Sequence, residues 1–131
     1  MMPATYLDSS AIVKLAIEEP ESDALRRYVR RRRPLVSSAL ARTEVLRALL
    51  LEGEIGVARG RAALARVDMV RVNDRVLNAA GALLPADLRS LDAIHLATAQ
   101  QLGRDLGQVV TYDERMIDAA RQLGINTASP S

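Results

Sequence analysis

The chain has 131 residues, 49% hydrophobic and 26% charged, proportions that fit one globular domain spanning 1–131 and set aside a disordered chain, a fibre or a coiled coil. Its 18 basic and 16 acidic residues nearly cancel to a net +2, so overall charge singles out no partner; 17 of the 18 are arginine, and only their clustering carries weight. The absence of cysteine and the single histidine, His95, exclude disulfides, a thiolate nucleophile and zinc sites built on cysteine or several histidines. Any metal would rest mainly on carboxylates, which suits a hard cation such as Mg²⁺ or Mn²⁺. Three tyrosines, with no Phe or Trp, leave too few stacking platforms for an RRM or OB module. No apolar run approaches the roughly 20 residues that cross a bilayer, and Asp8, Lys14, Glu18 and Glu19 interrupt any signal-like stretch. A cytosolic protein without membrane contact is expected.

In chain order, Ala4–Leu7 reads as a first strand, stopped by Asp8-Ser9-Ser10. Ser9 or Ser10 would cap a helix to about Ile17, which ends before Glu19-Pro20 because the residue preceding proline avoids the helical region. A second helix runs from about Glu21 into the arginine run and stops near Pro34. Leu35–Ser37 is a short strand, and Ser37 or Ser38 would cap a helix with Leu40, Leu46, Leu49 and Leu50 on one apolar stripe. A helix over Ile55–Val67 leads to a strand over Met69–Val72, and Asn73 or Asp74 starts a helix ending around Leu84-Pro85. Ser90 would cap a helix through Leu102 that Gly103 closes. Gln108–Thr111 is the last strand predicted, and a helix over Glu114–Leu123 ends at Gly124. Short strands alternating with longer helices predict an α/β domain with a mostly parallel sheet.

Four acids stand out in that frame. In open α/β sheets ligands sit beyond the carboxyl ends of the strands, and Asp8 and Asp113 follow the first and last predicted strands directly. Glu44 falls early in the helix after the second strand, and Asp92 sits in a first helical turn among Leu91, Ala93, Ile94 and Leu96. Each has an ordinary reading: Asp8 or Asp113 as a helix cap, Glu44 paired with Arg47 or Arg42, Asp92 favoured by the helix dipole. Together they suggest a cation. Two carboxylates about 4 Å apart repel by roughly 4 kcal/mol at an effective dielectric near 20, and a divalent ion reverses that sign.

The ordered series Tyr6-Leu7-Asp8-Ser9-Ser10-Ala11, Thr43-Glu44-Val45, Leu91 to Ala99 and Val110-Thr111-Tyr112-Asp113-Glu114-Arg115 resembles the PIN-domain ribonucleases, in particular the VapC-type toxins of toxin–antitoxin pairs. The resemblance spans essentially the whole chain and implies a PIN-like three-layer α/β/α sandwich around a short, mostly parallel sheet. By position, Asp8, Glu44, Asp92 and Asp113 match the acids that hold Mg²⁺ or Mn²⁺, with Asp8 and Asp92 central and Asp113 more peripheral. Thr111 matches a hydroxyl residue that orients the last acid or a metal-bound water. The implied activity is a metal-dependent endoribonuclease (a hydrolase of RNA phosphodiesters) that acts as a toxin, forms a homodimer and is held inactive by a cognate small antitoxin. The alternative is a PIN-like module that grips RNA or its antitoxin without cutting.

Three features are less tied to that reading. His95, three residues after Asp92, reads foremost as a partly buried histidine satisfying a local hydrogen bond, with a role beside the acids as the alternative. Arg26, Arg27 and Arg30–Arg33 place six guanidiniums in eight residues, either a solvated helix end or a phosphate-tracking surface. Val45–Leu51 covers more than one helix face, as core or as surface for a second copy or the antitoxin. Phosphoryl transfer on aspartate is the rival chemistry and fits poorly. Receivers need a late strand-end lysine, yet Lys14 lies in the first helix, and Ser10 stands where a dehalogenase-type phosphatase carries its second aspartate.

Overall fold

The computed structural model describes residues 2–131. Strand β1 (Ala4–Leu7) is buried along its whole length because it forms the centre of a five-stranded sheet. Around it lie β2 (Leu35–Ser38), β3 (Asp68–Val70), β4 (Leu106–Val110) and β5 (Thr127–Ala128), in spatial order β3-β2-β1-β4-β5. Every neighbouring pair is parallel, so the expected mostly parallel sheet is parallel throughout.

The period-two alternation of β1 divides the interior. Leu7 points to a cluster with Ile12 of α1 (Ser9–Ala16), Leu25 of α2 (Ser22–Arg30), Val45 and Leu49 of α3 (Ala41–Leu49), and Ala63 of α4 (Gly53–Leu64). Ala4 and Tyr6 point the other way, toward Val36, Val109 and Ala99 of α6 (Ser90–Gln101). On that side Leu96 packs on Met116, Ala119 and Ala120 of α7 (Glu114–Gln122), and α5 (Asp74–Gly81) packs beside α6. This is the α/β/α layering the motifs imply. Helices α3 and α4 approach closely at Gly60, where a Cβ would stand 2.5 Å from Leu49 Cδ1. Truncating Leu49, fully buried there, to Ala would destabilise by about 2–5 kcal/mol.

Several local expectations are corrected. Asp8, not Ser9 or Ser10, caps α1: its Oδ1 accepts from Ala11 N at 2.9 Å. Helix α2 ends at Arg30, which leaves Arg31–Arg33 in the connection to β2. Neither Ser37 nor Ser38 caps α3, because Ser37 Oγ donates to Leu7 O and Ser38 Oγ accepts from Leu40 N one turn too early. Helix α3 stops at Leu49, and a 3₁₀ turn over Leu50–Glu52 swings Leu50 and Leu51 outward, so the buried stripe is Ala41, Val45 and Leu49. Arg89 rather than Ser90 precedes the first turn of α6. Helix α5 ends at Gly81, short of Leu84-Pro85, and β5 lies beyond the last predicted strand.

The order of the strands places the site. From β1 the chain moves to β2 and β3 on one flank, then returns to β4 and β5 on the other. The crevice at such a reversal opens at the carboxyl ends of β1 and β4, where Asp8 and Thr111 follow directly.

Candidate active site

Asp8 leaves β1 almost fully buried, at 5% exposure, and each of its oxygens is occupied. Oδ1 accepts the Ala11 amide and, at 2.8 Å, the Ser10 hydroxyl; Oδ2 accepts the Thr111 hydroxyl at 2.6 Å. Burial pushes the Asp8 carboxyl above its ordinary value, and the hydrogen bonds from Thr111, Ala11 and Ser10 oppose that rise only in part. Thr111, expected to orient the last acid or a metal-bound water, donates from Oγ1 to Asp8 and accepts the Asp113 backbone N–H at 3.1 Å, tying the ends of β1 and β4 together.

Glu44 reaches the same edge from the first turn of α3. Its Oε1 accepts from Ser9 Oγ at 2.5 Å and contacts His95 Nε2 at 2.7 Å. Pairing with Arg42 or Arg47 does not occur. Partial burial opposes ionisation of Glu44, but the hydrogen bonds from His95 and Ser9 outweigh it and hold the carboxyl below its ordinary value.

His95 is 1% exposed, as a buried histidine was expected to be, but its partners are remote in sequence. Nδ1 lies 2.7 Å from the hydroxyl of Tyr6, on the facing strand β1, and Nε2 also lies 3.1 Å from Ser9 Oγ. Burial drives the Tyr6 hydroxyl far above its ordinary value, so it keeps its proton and is able to donate to Nδ1. The Glu44 carboxylate only accepts, so Nε2 carries a proton and donates it to Glu44.

Asp92 and Asp113 form the second half of the site. Asp113 caps α7, with Oδ1 accepting from Arg115 N at 2.8 Å and Met116 N at 3.2 Å. Asp92 lies in the first turn of α6. The two meet through Arg89, whose Nε stands 3.2 Å from Asp92 Oδ2 and whose Nη2 stands 3.2 Å from Asp113 Oδ2. A guanidinium thus sits between two carboxylates as a stand-in cation. Ser9, Ser10, Tyr6, Arg89 and the direct His95–Glu44 contact were missed in the sequence. Only Ser9 and Ser10 carried a signal there, as neighbours of Asp8 that were taken for caps.

The donor chemistry fits a hard divalent ion: four carboxylates, all oxygen, collected from four separate segments at one edge of the sheet. Asp8 and Glu44 are held by hydroxyl, amide and imidazole groups, and Asp92 and Asp113 are bridged by a guanidinium. Among the described residues, no group of three or more His, Cys, Asp or Glu side chains is already arranged to hold a metal ion.

A wholly parallel sheet with acids near its reversal defines an α/β protein with a candidate carboxylate site, and the family profile for the PIN domain matches residues 5–122. The chain belongs to the PIN-domain family. Among curated relatives it is 66% identical to ribonuclease VapC46 of Mycobacterium tuberculosis, over 99% of this chain and 100% of that one. It is 40% identical to ribonuclease VapC47 of the same species, over 95% of this chain and 96% of that one. The fold recurs in a toxin–antitoxin complex from Klebsiella pneumoniae (TM-score 0.74, 19% identity, 97% and 98% of the two chains). It recurs also in VapC20 of M. tuberculosis, described as a sarcin-ricin loop cleaving toxin (TM-score 0.72, 19% identity, 88% and 94%).

Proposed function

We propose that this chain is a VapC-type toxin, an endoribonuclease that hydrolyses RNA phosphodiester bonds with Mg²⁺ or Mn²⁺ held by Asp8, Glu44, Asp92 and Asp113. The observation that carries this reading is the joining of all four acids to one edge of the sheet by bonds from Thr111, Ser9, His95 and Arg89. A bound divalent cation would supply an activated water and neutralise charge on the phosphodiester. The chain's own groups do the positioning. Thr111 holds Oδ2 of Asp8, Ser9 and His95 aim Glu44, and the α7 cap takes only Oδ1 of Asp113, leaving Oδ2 to Arg89. Arg89, 65% exposed in its side chain, is free to swing from the carboxylates to a substrate phosphate.

The proposed partners are an RNA substrate, a small antitoxin and a second copy of the chain. An apolar surface at the α3–α4 turn supports the protein partners: Leu50 is 56% exposed, Leu51 93% and Ile55 71%. No helix among the described residues is long and apolar enough to cross a membrane. A strictly monomeric mass by light scattering at micromolar concentration would remove the dimer.

The test is cleavage of total bacterial RNA by the purified protein with Mg²⁺, Mn²⁺ or EDTA, beside Asp8→Asn. Discrete fragments with 3′-hydroxyl ends, dependent on metal and absent with the variant, are expected. Cleavage that survives EDTA, or products ending in 2′,3′-cyclic phosphate, would refute it. A non-cleaving RNA or antitoxin binder is the second reading, favoured by the Arg89 bridge, which neutralises Asp92 and Asp113 without metal. Growth arrest that persists in Asp8→Asn plus Asp92→Asn would select it.

A further inference from the structure

A second concave site lies at the opposite end of the sheet. Arg26 and Arg30 of α2, Arg33 in the connection to β2, and Arg59 and Arg66 on and just after α4 surround a cavity of about 290 Å³. Val29, Leu35 and Ala63 contribute apolar lining, and no carboxylate lines it. Leu35 opens β2, so the cavity sits at the amino ends of the strands, whereas the acids sit at the carboxyl ends. The eight residues of α1, about 12 Å of helix, separate the two.

The arginine run divides here. Arg32 turns to the other side and stacks 3.8 Å over the Tyr28 ring. Arg26 is paired with Glu18 at 2.6 Å and Asp23 at 3.1 Å, at the rim. Arg30, Arg33, Arg59 and Arg66, all solvent-exposed, form no ion pair among the described residues, so four uncompensated arginines border one small volume. Such a cluster repels itself and raises the local concentration of anions.

We infer that this cavity binds a compact polyphosphate, the di- or triphosphate group of a nucleotide, whose nucleoside rests on the apolar lining. Charge density decides this against a running nucleic-acid strand. A phosphodiester backbone brings one negative charge per nucleotide and would leave most of the guanidiniums unpaired in so small a space. A di- or triphosphate brings three or four charges within a few ångströms, in a geometry the guanidinium fork matches bidentately. The volume lies just below the roughly 300–1,000 Å³ of small-ligand sites, which suits the polyphosphate group with the nucleoside at the open side. The same chemistry occurs in a free nucleotide and at the 5′-triphosphate end of an RNA. The inference is independent of the nuclease reading.

The test uses the full chain carrying Asp8→Asn, in EDTA, so that neither cleavage nor metal contributes. Calorimetric titration with inorganic tripolyphosphate and with ATP is expected to show saturable one-to-one binding. Replacing one residue from α4 and the one just beyond it, Arg59→Gln with Arg66→Gln, should weaken that binding about tenfold or more, the loss expected for charge-assisted hydrogen bonds. Arg75→Gln, outside the cavity, should not change it, and unchanged melting temperatures show that the variants fold. Displacement by a 5′-triphosphate RNA oligonucleotide, but not by its 5′-hydroxyl counterpart, at concentrations where ATP fails, would identify an RNA end as the source; displacement by ATP would identify the free nucleotide. Absence of polyphosphate binding, or binding unchanged in the double variant, overturns the inference. So does equal binding of the 5′-hydroxyl RNA, which would make the cavity a backbone contact. Binding of a glutamate-rich peptide that tripolyphosphate cannot displace would instead assign it to an acidic protein partner.

Discussion

The two halves of the acid site are built on different principles. Asp8 and Glu44 are held by short-range, mostly uncharged donors: two hydroxyls and an amide on the first, a hydroxyl and an imidazole on the second. Asp92 and the outer oxygen of Asp113 are bridged by one long, exposed guanidinium, while Asp113 Oδ1 caps α7. The first half is fixed before anything binds, because Thr111 and His95, which hold one acid each, are essentially inaccessible. The second half is neutralised for the moment by a charge that can leave. A carboxylate site can therefore be rigid where geometry has to be kept and exchangeable where a cation or substrate enters.

Removing Asp8 should break that contrast most severely. The several kcal/mol that a bound metal supplies corresponds to a loss of about a thousandfold or more in cleavage for Asp8→Asn. Because burial disfavours the charge on Asp8, the isosteric amide should not lower, and should raise, the melting temperature of the metal-free protein. A variant that loses activity because it unfolds contradicts this reading.

His95 tests the fixed half by itself. His95→Leu deletes the donor to Glu44 and should reduce cleavage and Mn²⁺ affinity about 10- to 100-fold, the usual effect of losing a group that orients a ligand. His95→Gln can place an amide N–H near the Nε2 position and should recover part of both. Equal losses in the two variants would make His95 a packing residue only.

Arg89→Gln tests the exchangeable half. Exposed ion pairs contribute about 0.2–1 kcal/mol each, so removing the guanidinium should tighten Mn²⁺ binding by about two- to tenfold, read by calorimetry, while RNA affinity falls. If Mn²⁺ affinity does not change, Arg89 does not compete for the carboxylates.

The smallest effects are in pH. The folded-state value of Asp8 is raised, so the native metal-free protein holds that proton longer than the unfolded chain, and this contribution to stability falls as pH rises from about 4. The melting-temperature advantage of Asp8→Asn should therefore grow between pH 4 and 7. Glu44 acts in the opposite sense: its value is lowered, so its contribution is present above about pH 4.5 and is lost as pH falls below that. Glu44→Gln should cost stability at neutral pH and little in acid.

Much of this was legible in order and little of it in partnership. The strands that carry the site, Ala4–Leu7 and the run ending at Val110, are marked by apolar residues bounded by turn formers, and both acids that follow them were visible. Strand β5 was not. Two residues, Thr127 and Ala128, held where Val109 N donates to Asn126 O and Thr111 N to Ala128 O, have no periodicity to detect. The leucines misled for a related reason: the stripe through Leu50 assumes a helix that continues, whereas α3 stops at Leu49. His95 lies 89 residues from Tyr6 and 51 from Glu44, and Arg89 lies 24 from Asp113. Only the folded sheet brings such residues together.

The caps have an evolutionary consequence. Asp8 and Asp113 each use one oxygen to begin a helix, and asparagine caps a helix about as well as aspartate. A single nucleotide change, from an aspartate codon to an asparagine codon, therefore silences either position and keeps the helix start. A lineage under selection to disarm such a protein has this route open without losing the folded chain, and a further single change restores the acid.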